Sequence, residues 1–502
     1  MKINSICILG GGTAGFAVAS ILSRYAELSG SKFDIKVVYS EDIGTIGVGE
    51  STNLSINQFL KYLGLDDKKW MKRCDATHKT SIKFTDFNQG SHFYFPFGDV
   101  RQDRRNHEVI KRWFIAKEFH PEIYTPERVA GYLVPHNILA EKNKLTNDGF
   151  DLDRNTSYHF DSNKLGNILK EYSKKRGVEI INDRFIKAEL NGNGSIKSLV
   201  CEDSTYDADL FVDCSGFRSL LLGQTMKEEF ISFSDTLIND KAIVAKIPYK
   251  DKDKQLKNYT DSVALKNGWC LNIPLWDHMS VGYVHSSKFA TPEQIESELF
   301  EHVGEVDYEI INYKSGRYKR GWVKNVVSVG LSYGFLEPLE GTGLASMFIN
   351  SFRLLEAISK RDMNYTQLDR DLFNNSSGEY GIDGWKSQIE SHYYLSTRTD
   401  SEYWTYVTED IDYKNRIDSI FSYEQFLYRC GITRSYNTND PGLMFIAGGM
   451  NYSPFSRAII LSDDLADKLK VIPEFEDELE SLVEDVKEFP SSYEFLRKNI
   501  YS

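Results

Sequence analysis

A glycine-rich turn near the start of the chain carries the first chemical signal. It fits the pattern G-x-G-x-x-G. The residues of this turn are Gly10, Gly12, Thr13, Ala14 and Gly15. Such glycines permit a tight turn and let backbone approach a pyrophosphate, whose charge lies at the N-terminus of the following helix. Because residues 2–9 read as a strand and 13–29 as a helix, the pattern predicts a bound dinucleotide.

Two later strand ends favour FAD over a nicotinamide dinucleotide. The runs 209–216 and 325–330 each read as a strand that ends in a small-residue turn, the second at Gly330. Repeated returns of the chain to one long cofactor are expected of an FAD module. The second predicted strand, 33–39, is followed by Glu41, which is a candidate for binding the ribose. A group close to Glu41 stays open as the alternative.

The elements that must position these residues are typical of an α/β fold. A strand, a glycine turn, a helix and a second strand over 2–39 predict the start of a parallel sheet. Helices are predicted at 164–176, with Asp161 or Asn163 as the cap, and at 342–361. The run 250–258 reads as a solvated loop. From about 366 to 502 the pattern is mostly helical.

Length, composition and charge limit the class of protein. The 502 residues, 41% hydrophobic and 26% charged, allow about three domain-sized units with large cores. A net charge of −13 argues against a nucleic-acid partner. The cysteines and histidines show no metal-ligand spacing, so we expect no metal and reduced thiols. No signal peptide and no apolar run of about 18 residues is found, which predicts a cytoplasmic protein without a membrane partner.

Longer segments resemble the flavin-dependent tryptophan halogenase family over nearly the whole chain to about residue 405. The matching segments are 47–52 (GVGEST), 75–84 (DATHKTSIKF), 158–161 (YHFD), 213–218 (DCSGFR), 268–274 (GWCLNIP), 282–287 (GYVHSS) and 337–343 (EPLEGTG). The resemblance implies an FAD-binding Rossmann-like module of the single-component flavin monooxygenase type. It also implies a mixed β-sheet substrate region and a helical C-terminal part.

The resemblance divides the chain into three regions. Residues 1–65, 155–225 and 315–365 would form a discontinuous FAD-binding module. Residues 66–154 and 226–314 would supply the sheet and insertions on the substrate side. Residues 366–502 would form the mainly helical C-terminal region.

The same resemblance assigns residues around the flavin. Gly49, Glu50 and Ser51 would contact the cofactor. Trp269, Ile273 and Pro274 would shield it from the organic substrate, although Leu271 stands where the family has a second tryptophan.

Lys79 takes the position of the family's catalytic lysine. In this family reduced FAD, O2 and halide generate hypohalous acid, which is relayed to the lysine and held there, or forms a haloamine, for electrophilic halogenation. On the residues alone Lys83 is the alternative, because both lysines could face one side of a strand. Glu340 would be the partner of this lysine and would accept the ring proton. Thr342 and Gly343 would bind chloride, bromide or iodide through backbone N–H groups, with Gly341 where the family usually has serine.

The substrate predicted from this pattern is an electron-rich aromatic of indole or phenol type. Phe95 stands where tryptophan-specific members have the histidine that stacks on the indole, and Phe97 keeps the second stacking position. Core packing is the alternative role for both. No segment matches the one that closes around tryptophan's amino-acid part, and residues 435–442 and 445–450 stand near its place. Free tryptophan is therefore not expected as the substrate.

Two other functions stay open at this stage. One is an FAD-dependent aromatic monooxygenase that hydroxylates its substrate, and the other is a non-catalytic flavin-binding protein. The expected partners of a halogenase are the small aromatic substrate, an NAD(P)H-dependent flavin reductase and further copies of the chain in a homo-oligomer. A separate reductase is expected because no second glycine fingerprint for NAD(P)H is visible.

Overall fold

A computed structural model describes residues 2–44, 47, 49–98, 106–413, 442–453 and 473–502. The chain divides into two compact units, each of which is discontinuous in sequence. Unit 1 comprises Met1–Ala76, Phe160–Ser234 and Tyr313–Lys386, and unit 2 comprises Thr77–His159, Asp235–Asn312 and Ser387–Ser502. The functional assignment of three regions made from the sequence stays a prediction.

Short strands follow one another along most of the described chain. They are β1 (Ser5–Leu9), β2 (Asp34–Tyr39), β3 (Gly49–Ser51), β4 (Thr77–Lys79), β5 (Ser81–Thr85), β6 (His92–Pro96), β7 (Ser157–Asp161), β8 (Glu179–Asn182), β9 (Phe185–Leu190), β10 (Ile196–Cys201), β11 (Thr205–Asp207), β12 (Leu210–Asp213), β13 (Phe230–Ser232), β14 (Lys241–Pro248), β15 (Tyr259–Leu265), β16 (Gly268–Pro274), β17 (His278–His285), β18 (Tyr308–Asn312), β19 (Gly316–Tyr318), β20 (Trp322–Val323), β21 (Val326–Ser328) and β22 (Gly334–Phe335).

Helices separate these strands and predominate after β22. They are α1 (Thr13–Ser29), α2 (Ser55–Leu63), α3 (Asp67–Arg73), α4 (Asn106–Phe119), α5 (Val129–Leu133), α6 (Ile138–Glu141), α7 (Leu152–Asn155), α8 (Ser162–Lys174), α9 (Lys252–Gln255), α10 (Pro292–Val303), α11 (Thr342–Ser359), α12 (Gln367–Ser377), α13 (Asp383–Tyr394), α14 (Glu402–Thr405), α15 (Gly442–Gly449), α16 (Pro473–Lys487) and α17 (Ser492–Asn499).

Unit 1 is built on a six-stranded sheet with the order β20-β21-β12-β1-β2-β8. All its pairs are parallel except that of the edge strand β20. The apolar run of β1 is buried, as expected for a strand inside a parallel sheet. The predicted α/β fold is confirmed. Helix α8 begins at Ser162, two residues before the predicted start, because the Asp161 side chain accepts a hydrogen bond from the Lys164 N–H at 3.0 Å.

Unit 2 contains a mixed seven-stranded sheet with the order β18-β14-β17-β16-β15-β5-β6. Helix α10 packs on one face of this sheet. The apolar cluster between them consists of Ile243, Cys270, Val281, Tyr283, Ile295 and Leu299. Because successive side chains alternate along a strand, Trp269, Leu271 and Ile273 point to the opposite face of β16 from Cys270.

The segment 250–258, predicted as a solvated loop, differs from that prediction in two places. Lys252–Gln255 form a short helix, and the side chain of Asn258 is 0% exposed. The Asn258 amide donates hydrogen bonds to the carbonyl oxygens of Leu139 at 3.1 Å and Lys144 at 2.8 Å. Asn258 is thus buried although it ends a charged run, because its amide group satisfies the carbonyl oxygens of Leu139 and Lys144.

Among the residues that the structure describes, no helix is long and apolar enough to cross a membrane. The same residues contain no group of three or more histidine, cysteine or acidic side chains that could hold a metal ion. The cysteines that the structure describes are free and buried; they are Cys7, Cys74, Cys201, Cys214 and Cys270.

Candidate active site

The glycine turn of unit 1 has the geometry of a phosphate cradle. A Cβ on Gly10 would lie 2.2 Å from the Cys214 carbonyl oxygen, and one on Gly15 would lie 1.9 Å from the Gly10 carbonyl oxygen. Helix α1 then begins at Thr13, and no side chain of the described residues caps its N-terminus at Gly12. The backbone N–H groups of this first turn are therefore available to an anion. These residues fit the pyrophosphate of FAD.

Gly330 belongs to the same cradle. It follows β21, has a φ of +76°, and a Cβ there would lie 3.0 Å from the Cβ of Ala14. The Ser332 hydroxyl fixes this turn by donating to the Asp213 carbonyl oxygen at 2.5 Å. The Asp213 carboxylate faces elsewhere and accepts the N–H groups of Leu221 and Leu222 at 2.7 and 2.8 Å. Asp213 is therefore a structural cap.

Glu41 lies after the end of β2 with an exposed side chain. The Tyr39 hydroxyl donates to its carboxylate at 2.7 Å, and the Lys170 ammonium is 3.4 Å away. These two contacts, that of Tyr39 first, lower the pKa of Glu41. The carboxylate is thus ionised and already oriented, and its role at the ribose stays a prediction.

Glu50 lies in β3 between Gly49 and Ser51, the three residues that the sequence assigns to the flavin. Desolvation first, and the charge of Asp161 second, raise the pKa of Glu50 from 4.5 to about 8. A carboxyl group with this pKa is protonated near neutral pH, so it can donate a hydrogen bond. A neutral donor suits the polar edge of a bound flavin ring.

The halide candidates lie where α11 begins. Glu340 ends a short turn and is 5% exposed, Gly341 has a φ of +63°, and Thr342 opens the helix. The Thr342 Oγ1 is buried and has no hydrogen-bond partner among the residues that the structure describes. Within that part of the chain, a Cβ on Gly343 would meet no atom within 4 Å. A buried hydroxyl, open space and an uncapped helix start together fit a small anion.

Lys79 ends β4 in unit 2 and is 0% exposed. Its Nζ lies 4.9 Å from the centre of the Phe97 ring, within the range of a cation–π contact. Lys83 lies in a different strand, β5, and is half-buried. The expectation that both lysines face one side of a single strand is therefore wrong, and burial separates them. Glu340 belongs to unit 1, so its partnership with Lys79 stays a prediction.

Strand β16 holds the residues assigned to the flavin shield. Trp269 is 0% exposed, and its indole N–H donates to the Tyr393 hydroxyl at 2.8 Å. Asn239 also donates to this hydroxyl, at 3.0 Å. Ile273 and Pro274 are both buried. The indole of Trp269 is thus held in place by Tyr393, and the shielding role of these side chains stays a prediction.

Phe95 and Phe97 differ from their neighbour Phe93. Phe93 is core, stacked on Phe84 at 5.0 Å with an angle of 23° between the rings. Phe95 is half-buried and contacts Phe445 at 5.4 Å, whereas Phe97 lies beside Lys79. The Phe97 ring lies next to the buried amine and could contact a flat apolar substrate, and Phe95 stands two residues before it. Of the segment 435–442, all but Gly442 lies outside the described residues.

Three residues around this site were not identified from the sequence. They are Thr77, His159 and Tyr393, and all three are completely buried. Thr77, in the strand of Lys79, is hydrogen-bonded to His159 and to Pro274 of β16, and Tyr393 accepts the indole N–H of Trp269. Thr77 and His159 stand inside the recognisable segments 75–84 and 158–161, which is the signal that could have indicated them. Their partners are distant in sequence, and no local pattern connects them.

Comparison with known proteins gives consistent matches. The model of the family described as tryptophan halogenase matches residues 5–429. Tryptophan 7-halogenase RebH of Lentzea aerocolonigenes is 33% identical over 427 residues, which are 80% of this chain and 78% of RebH. The apo structure of VirX1 is 35% identical, covers 100% of both chains and superposes with a TM-score of 0.90. The crystal structure of tryptophan 6-halogenase SttH from Streptomyces toxytricini is 28% identical, covers 98% of this chain and 99% of SttH, and has a TM-score of 0.82.

Proposed function

This chain belongs to the tryptophan halogenase family of flavin-dependent halogenases, which rely on a separate flavin reductase, and from that premise we propose its reaction. We propose that it halogenates an electron-rich aromatic substrate of indole or phenol type, other than free tryptophan, with FAD, O2 and a halide ion. The observation that carries the proposal is the completely buried Lys79 amine, 4.9 Å from the Phe97 ring.

The proposed role of Lys79 follows from its chemistry. When bound, reduced FAD supplies hypohalous acid from O2 and halide. The Lys79 ammonium donates a hydrogen bond to the oxygen of this acid and polarises the oxygen–halogen bond. As the ring carbon bonds to the halogen, the oxygen–halogen bond breaks and the oxygen leaves as water with a proton from Lys79. Glu340 accepts the proton lost from the ring carbon, so atoms and charge balance.

The halide is proposed to bind at the start of α11. The backbone N–H groups of Thr342 and Gly343 belong to the first helical turn, where the helix dipole favours an anion. The buried Thr342 hydroxyl adds a donor that no other described residue engages. Chloride, bromide and iodide are all candidates.

The substrate class is proposed from Phe97, which lies beside Lys79, and from Phe95, two residues before it. Phe95 and Phe97 offer ring faces rather than the charged or hydrogen-bonding groups that a buried amino acid would need. A neutral aromatic ring matches such a surface. Phe95 also stands where tryptophan-specific members have histidine, which supports a substrate other than free tryptophan.

The deciding experiment compares Lys79→Ala with Lys83→Ala as the matched control. Both proteins receive FAD, a flavin reductase, NADH, each halide in turn and a panel of indoles and phenols, and products are identified by mass spectrometry. We expect Lys79→Ala to bind FAD normally and to form no halogenated product, whereas Lys83→Ala retains most activity. Halogenation by Lys79→Ala at a near-normal rate and ring position would refute the role of Lys79. Hydroxylated products from the unchanged protein would support a monooxygenase instead.

A further inference from the structure

Strand β4, which carries Lys79, is tied to the end of strand β16 by a buried chain of hydrogen bonds. β4 pairs with β7 in an antiparallel register that places Thr77 opposite His159 and Lys79 opposite Ser157. Thr77 and Lys79 are two residues apart, so their side chains leave the same face of the strand. The Thr77 hydroxyl is within 2.6 Å of the Pro274 carbonyl oxygen and 3.0 Å of His159 Nδ1.

Proton counting fixes the direction of each bond. The Thr77 hydroxyl has one hydrogen, and the Pro274 carbonyl can only accept it. Thr77 must therefore accept from His159, which places the imidazole proton on Nδ1. Burial first, and the charge of Lys79 second, lower the pKa of His159 well below its usual value, so Nε2 carries no proton. Nε2 then accepts from the Thr260 hydroxyl at 2.9 Å.

We propose that Thr77 and His159 are positioning residues. They hold β4, the strand of Lys79, in register with the Pro274 end of β16, which is called the shielding strand because it carries the residues assigned to the flavin shield. The inference rests on the proposed roles of Lys79 and of β16. Thr77, His159 and Thr260 are each at most 1% exposed, so water cannot replace a lost partner without opening the fold. A continuous chain from Thr260 to Pro274 therefore couples the two strands.

The chemical consequence concerns loss of the oxidant. Hypohalous acid must reach Lys79 before it escapes into solvent or oxidises another side chain. If the strand of Lys79 moves independently of the shielding strand, hypohalous acid is released. Less halogenated product is then formed for each reduced flavin consumed. The fraction of reduced flavin converted to halogenated product therefore reports the coupling more directly than the rate does.

The test compares Thr77→Val, which keeps the shape but removes the hydroxyl, with Thr77→Ser and Thr80→Val. Thr80→Val is the matched control because the buried Thr80 hydroxyl donates to the Asn258 carbonyl oxygen at 3.0 Å, outside the shielding strand. The first readout needs no flavin: hydrogen exchange of the apoprotein by mass spectrometry. We expect Thr77→Val to accelerate exchange about tenfold in both β4 and β16, and the two other variants to leave β16 unchanged.

The second readout is halogenated product per reduced flavin consumed, with a thioether in solution to trap released hypohalous acid. We expect Thr77→Val to lower this yield about tenfold and to raise trapped oxidant, and Thr77→Ser to restore both. Faster exchange confined to β4, or an unchanged yield, would overturn the inference. Should Thr77→Val not fold, His159→Asn, which keeps an N–H donor for Thr77, is expected to give a smaller change in the same two segments. If the unchanged protein halogenates nothing, the proposed function fails while the exchange result still tests the link.

Discussion

Two carboxyl groups of unit 1, Glu41 and Glu50, are assigned to the cofactor. Glu50 is the one whose pKa rises on folding. Its pKa is about 8 in the fold and 4.5 in the unfolded chain. Between these two values the unfolded chain releases a proton that the folded protein keeps. The stability that comes from keeping Glu50 protonated is therefore fully present below about pH 4.5. The free energy of unfolding falls as the pH rises toward 8, because the folded protein then pays to ionise a desolvated carboxyl group.

Replacing Glu50 with glutamine tests this directly, because the amide has the same shape and no charge. We expect Glu50→Gln to raise the free energy of unfolding of the apoprotein at pH 8 relative to the unchanged protein, and to have little effect at pH 5. Urea denaturation followed by tryptophan fluorescence measures the difference. Glu41→Gln is the matched control, since the exposed Glu41 has a lowered pKa and should show no gain at pH 8. An equal effect of Glu50→Gln at both pH values would contradict the shift.

Leu271 and Cys270 lie on opposite faces of β16, and their surroundings predict different tolerance of a larger side chain. Leu271 pairs with Ser262 of β15 and Gly282 of β17. Gly282 has no side chain, and a Cβ there would lie 4.0 Å from the Leu271 Cβ. Cys270, on the opposite face, is enclosed by the cluster under α10. Leu271 is 5% exposed, so a larger side chain at this position would have to extend over Gly282.

We expect Leu271→Trp, which restores the family's second tryptophan, to fold and to keep its halogenating activity. Its cost in the free energy of unfolding should not exceed about 1–3 kcal/mol, because the added volume can extend over Gly282. Cys270→Trp is the control and should destabilise the protein more strongly. Thermal denaturation and halogenated product measured together decide the outcome. Complete loss of activity in a folded Leu271→Trp would mean that this face is built differently from the family's.

Elements formed by neighbouring residues could be predicted from the sequence, whereas their partners could not. Helix α1 has its predicted bounds, since glycines and a continuous apolar run define it locally. The bond from Thr77 to Pro274 joins residues 197 apart, and that from Thr77 to His159 joins residues 82 apart. No periodicity in one segment reports such a contact. The buried state of Lys79 was available only through the resemblance, because most lysines are solvated.

At the scale of the whole molecule, residues of one proposed reaction are distributed over two units. The glycine turn, Glu50, Gly330 and the start of α11 belong to unit 1, and Lys79 and the aromatic residues belong to unit 2. Each unit is assembled from three segments, so no single linker marks a boundary in the sequence. Composition alone could bound the number of domains but not their course along the chain.

This distribution predicts which part of the chain oxidised FAD stabilises. A ligand present at about 100 times its dissociation constant stabilises the state that binds it by about 2.7 kcal/mol. All residues of the cradle lie in unit 1, so we expect FAD to slow hydrogen exchange in β1, in the first turn of α1 and around Gly330. Exchange in β14 and α10 of unit 2 should not change. Because oxidised FAD alone supports no turnover, the measurement reports binding only.

The control for this experiment is Gly15→Ala. Its Cβ would lie 1.9 Å from the Gly10 carbonyl oxygen, so the turn must open and the approach of the pyrophosphate is lost. We expect this variant to show no slowing of exchange by FAD at any site, while β14 and α10 exchange as in the unchanged protein. Equal protection of β1 and β14 by FAD, or full protection of Gly15→Ala, would contradict a cradle formed by the turn of unit 1. Protection that follows the glycine turn alone would locate the cofactor there without any measurement of catalysis.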